Sequence, residues 1–79
     1  MDFHAYNRFA AVVTSDTVDF VRPPLAIYVG GTGNIIAVNG DGSTVTLSAV
    51  PVGTLLPISP RRINATSTTA TLMVAFFVT

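Results

Sequence analysis

The 79-residue chain has no cysteine, lysine, glutamate or tryptophan, and His4 is its single histidine. Without cysteine it can form no disulfide, and cysteine usage says nothing of its redox compartment. One imidazole and no thiol exclude a zinc site of ordinary ligand type. Four arginines balance four aspartates, so charged residues make up 10% of the chain, against about 25% in an ordinary domain. Only Arg61 and Arg62 adjoin, which is too little clustered positive charge for nucleic acid to be the main partner. The longest apolar run, residues 70–78, is broken by Thr71 and falls far short of the ~20 residues a spanning helix needs. Met1-Asp2-Phe3-His4 has neither the basic region nor the apolar stretch of a secretory leader, so synthesis in a cytoplasm is expected. No membrane partner, metal or cofactor is expected.

The same shortage bears on catalysis, which needs convergent groups such as a nucleophile beside a base or two paired carboxylates. Asp2, Asp16, Asp19 and Asp41 are scattered along the chain. Asp41 sits between glycines as a turn residue, Asp16 reads as a turn or cap, and no enzyme is expected. Gly30-Gly31-Thr32-Gly33 has the look of a phosphate-cradling loop, but such a loop must open a helix. Here the β-branched stretch Asn34-Ile35-Ile36-Ala37-Val38 follows, so a tight turn is the expectation. Asn64-Ala65-Thr66 matches a glycosylation sequon, and with no leader the match is read as chance.

What is abundant is apolar: 49% of residues are hydrophobic. A chain this small buries only about 60% of the surface that its unfolded form exposes, and small domains compensate with disulfides, metals or oligomerisation. The first two are excluded here. A large uncovered apolar surface marks an interface, so the chain is expected to complete its fold by assembling with other subunits and not to persist as a stable monomer.

Short runs of Val, Ile, Thr and Phe alternate with Gly, Pro, Asn and Asp clusters every eight to twelve residues. This spacing predicts an all-β fold, a small antiparallel β-sandwich or barrel-like module. Residues 1–20 read as an extended N-terminal arm and 21–79 as the β domain. Arg22-Pro23-Pro24 must be extended and leads into the sheet. Strands are expected at 25–29, 34–38, 43–50, 54–58, 61–66 and 70–78. Asn39-Gly40-Asp41-Gly42 is a hairpin signal, and Pro57 assigns its strand to an edge. In 43–50, Val45, Leu47 and Ala49 are expected on the buried face. In the last strand, Leu72, Val74, Phe76 and Val78 are expected to meet the core, which leaves Met73 and Phe77 for a subunit interface. Phe3, Tyr6 and Phe9 offer aromatic anchors on the arm, and Arg61 and Arg62 a contact for an acidic partner.

Residues 24–76 resemble a family of small tailed-phage and gene-transfer-agent head proteins described as spike base proteins. The likeness is carried by Ala26-Ile27-Tyr28-Val29-Gly30-Gly31-Thr32-Gly33-Asn34, then Asp41-Gly42-Ser43-Thr44-Val45-Thr46-Leu47. It continues through Val50-Pro51-Val52-Gly53-Thr54-Leu55-Leu56-Pro57-Ile58, Arg62-Ile63-Asn64-Ala65-Thr66 and Thr68-Thr69-Ala70-Thr71. The resemblance implies a virion protein seated on the capsid exterior at vertices, in an oligomeric ring that carries a spike or fibre. Its expected partners are the major capsid protein, a spike or fibre protein, and copies of itself as a pentamer or trimer. Phe3, Tyr6, Phe9, Arg61 and Arg62 are the expected capsid contacts. A capsid decoration (cement) protein and a small oligomeric protein-binding module outside the virion are the alternatives.

Overall fold

A computed structural model describes residues 5–78. Seven strands occur among them: β1 (Arg8–Ala11), β2 (Ala26–Tyr28), β3 (Gly33–Val38), β4 (Thr44–Val50), β5 (Leu55–Leu56), β6 (Arg62–Ile63) and β7 (Val74–Phe77). They form two antiparallel sheets, one of four strands in the order β1-β7-β2-β5 and one of three in the order β4-β3-β6. The result is a small sandwich. Its core is aliphatic: Ile27, Val29, Ile35 and Ile63 are fully buried, joined by Val50, Ala70, Met73 and Ala75. Phe20 and Phe77 pack on the rim of this cluster.

The hairpin between β3 and β4 is closed by its own side chains. Asn39 N donates to Ser43 O at 2.7 Å, and Gly42 takes the positive φ of 92° that the turn requires. Asp41 Oδ1 accepts from Ser43 Oγ at 2.6 Å and from Ser43 N at 2.9 Å, and these bonds, the hydroxyl first, hold its carboxyl below the usual range. β5 is two residues long and lies at a sheet edge, the place its neighbouring proline allows.

Gly30-Gly31-Thr32-Gly33 has a packing role. A Cβ on Gly30 would stand 2.5 Å from Leu72 O, and one on Gly33 would strike the backbone of Thr69 and Ala70. The glycines therefore let residues 30–33 press against 69–72. Asn34 N donates to Thr69 Oγ1 at 2.8 Å, and Asn34 O accepts from Thr69 N and Ala70 N. A strand, not a helix, follows the loop.

Three expectations change. In β7 the two faces are exchanged: Met73 and Ala75 are 5% and 2% exposed, whereas Leu72 is 78% exposed. Leu72 adopts a φ of 53°, which shifts the alternation by a step just before β7 begins. Both faces are apolar, and only the register across β2, with Ala75 opposite the buried Ile27, shows which one turns inward. In β4, Ala49 adopts a φ of 51° and the register with β3 slips between Gly33 and Ile35. Val50 thus takes the inward position and Ala49 is exposed, while Val45 stays half exposed.

The third change concerns the arm. β1 pairs along its length with β7, and Val12 N donates to Met73 O at 3.0 Å. The chain then crosses to the other sheet, where Ser15 N donates to Ile63 O at 2.9 Å and Phe20 N to Arg61 O at 3.0 Å. Residues 8–20 are stitched into both sheets and do not extend away from them.

Candidate functional site

Register determines what the four-stranded sheet shows to the outside. Ile27, Ala75 and Leu56 face the core, so their neighbours in sequence face away. One outward row runs across the sheet through Ala11, Val74, Tyr28 and Leu55, and the next through Phe9, Phe76 and Ala26, of which Ala26 is itself fully buried. No charged residue occurs at any of these positions. Tyr6 stacks on Phe76 with ring centroids 5.5 Å apart, and Phe9 meets the same ring edge-on at 6.0 Å. Phe9 is 65% exposed and Leu55 47%. The cluster orders its rings by mutual contact yet leaves most of the Phe9 side chain in water. An uncharged, aromatic-rich sheet face of this kind is the ordinary composition of the centre of a protein–protein interface.

The residues singled out from sequence separate into different places. Tyr6 and Phe9 come together on this face, joined by Phe76, which had been expected to face the core. Phe3 lies outside the described residues. Met73 is in the core and has no side-chain surface for a subunit contact. Phe77 is half-buried against the core and lines a cleft on the opposite face of the sheet.

Arg61 and Arg62 lie at the other sheet and are engaged within the chain. Arg61 Nε donates to Asp19 Oδ2 at 2.6 Å and Arg62 Nη1 to Asp19 Oδ1 at 2.8 Å, while Arg62 Nε reaches Asn64 Oδ1 at 3.2 Å. The two guanidiniums, Arg61 first, hold the Asp19 carboxyl below its usual range, and Asp19 raises Arg61 in return. Nearby, Thr66 Oγ1 and Thr66 N both donate to Asp16, and these bonds, the hydroxyl first, lower that carboxyl as well. Asp16 and Asp19 thus pin the crossing segment 14–20 onto β6 and the loop that follows it. Sequence spacing could not reveal this, because the partners lie more than forty positions apart.

Among the described residues no three carboxylate or imidazole side chains converge. What the described surface offers is contact: an aromatic face on one side of the four-stranded sheet, and a cleft beside β1 on the other.

No family model matches the chain, and no curated protein does. Among solved structures it is similar to a chain of the capsid of a native gene-transfer-agent (GTA) particle computed with C5 symmetry. The two are 35% identical, the match covers 91% of this chain and 83% of that one, and the TM-score is 0.84.

Proposed function

The chain belongs to the capsid-related proteins of phages and gene transfer agents, and on that footing we propose that it sits on the outside of a capsid as the base of a head spike or fibre. The likeness over nearly the whole chain to a gene-transfer-agent capsid component carries this reading. The uncharged outer face of the four-stranded sheet supports it, because a virion protein must hold its place by surface contact. In this reading Tyr6, Phe9 and Phe76 press on the major capsid protein. Copies of the same chain, five or three to a ring, supply the burial that 79 residues cannot supply alone. A base must also hold a second partner, and the cleft behind the aromatic face is a separate surface on which to do so.

Quantitative mass spectrometry of purified particles tests the proposal. The reading expects the protein in mature particles at a small multiple of the vertex number, in fives or threes. A copy number tracking that of the shell protein would make it a decoration protein instead. Absence from mature particles would remove it from the virion altogether.

A further inference from the structure

The inner side of β1 opens onto a trough. One part, of about 460 Å³, is lined by apolar side chains that include Ala10, Val13, Val18, Phe20 and Phe77, and by Asp19, whose carboxylate is paired with Arg61 and Arg62. A second part, of about 400 Å³, shares Ala10, Phe20, Val21 and Phe77 with the first and adds Arg8 and Arg22 at its mouth. The trough therefore runs along β1 and is bounded on its far side by residues 13–15 and the returning segment 18–22. Val13, Val18 and Val21 stand on its rim at 80%, 69% and 106% exposure.

Two further observations show what could fill it. β1 is the outermost strand of its sheet. Val12 N is spent on Met73 O, so by antiparallel alternation the amides of Ala11 and Val13 point away from β7 along a free edge. The charges are also unevenly used. Arg61 and Arg62 share Asp19, but Arg8 and Arg22 have no acidic partner among the described residues, and both stand at the trough's mouth. With charge so scarce in this chain, two free guanidiniums beside an apolar floor select for an anion.

We propose that the trough receives an extended segment of a partner protein, added as a further strand on the edge of β1. Apolar side chains of that segment lie over Ala10 and Phe77, and one or two carboxylates meet Arg8 and Arg22. The backbone edge gives general affinity and the arginines give the sign of the charge, the division of labour found in strand-addition sites. The inference does not depend on the virion reading, because it rests on this chain's own edge, floor and charges, on the opposite side of the sheet from the aromatic face.

The test uses the full chain and the capped peptide Asp-Thr-Val-Thr-Val-Thr-Asp, whose aspartates and valines share one face of a strand, with the peptide carrying lysine in place of aspartate and a single-stranded DNA oligonucleotide as competitors. Titration calorimetry should show binding of the aspartate peptide at least ~10-fold tighter than the lysine peptide. NMR shifts should centre on Ala11 and Val13. The double variant R8E/R22E, altered only at exposed side chains, should reverse the preference between the peptides. Equal binding of the two peptides, no binding of the aspartate peptide, or an unchanged preference in R8E/R22E would each overturn the proposal. Tighter binding of the oligonucleotide would do so too, by making the arginines a phosphate site.

Discussion

Phe9 is the residue through which the proposed seating can be measured with least damage to the fold. A phenylalanine side chain presents about 200 Å². At 65% exposure, roughly 130 Å² of it remains in water and is available to a partner. At ~25 cal/mol/Å² the partner would gain about 3 kcal/mol, or on the order of 100-fold in affinity. The remaining ~70 Å² is already covered and is worth roughly 1.7 kcal/mol to folding as an upper bound. Phe9→Ala should therefore cost more in attachment than in stability. Co-sedimentation with particles lacking the protein, alongside thermal melts, reads both quantities. Val45→Ala is the control, because Val45 is half exposed on the other sheet and should leave attachment unchanged. If Phe9→Ala sediments with particles as well as the parent, or if Val45→Ala is the variant that detaches, the assignment of the docking face is wrong.

Core and clip residues give further expectations. Ile27→Ala removes a fully buried side chain and should cost about 2–5 kcal/mol, a large share of the roughly 4–12 kcal/mol available to a domain this size, so denaturant melts should show partial or complete unfolding. Gly33→Ala drives a methyl into the Ala70 backbone and should lower the melting temperature more than Gly40→Ala, whose added Cβ meets nothing within 4 Å. Asp16 and Asp19 carry lowered folded-state carboxyl values, so their stabilisation is present above the unfolded carboxyl range near pH 4 and is lost as pH falls through the folded values. Hydrogen-exchange protection factors of the Ser15 and Phe20 amides, taken against the intrinsic rate at each pH, should fall at that acid end, and Asp19→Asn should lower them at neutral pH. Sedimentation should show the isolated chain associating with concentration, and a folded monomer at all concentrations would contradict the expected ring.

Much of the architecture is legible in the residue order, because turn chemistry is local. Asn39-Gly40-Asp41-Gly42 places a hairpin whatever surrounds it, and Pro57 keeps its strand short and at an edge. Facing is harder to read. Two non-glycine residues in the left-handed region, Ala49 and Leu72, each shift an alternation, and nothing in an alanine or a leucine announces a positive φ. Where one face is polar such a shift leaves a visible fault. In the last strand both faces are apolar, so Met73 and Phe76 exchange roles without any trace in the sequence. The aromatic anchors Tyr6 and Phe9 were recognisable as a group, but their third member depended on register. The arginine pair drew attention because charge is scarce, and its partner Asp19 became visible only once the chain had folded back across both sheets.

The central claim is that the Tyr6–Phe9–Phe76 face seats this protein on a capsid, and a localised cryo-EM reconstruction of the particle tests it most directly. Density for this chain is expected on the outer surface, with that face against the shell and the β1 trough turned away from it. A reconstruction in which the aromatic face points into solvent, or in which the chain has no density on the particle, would contradict it.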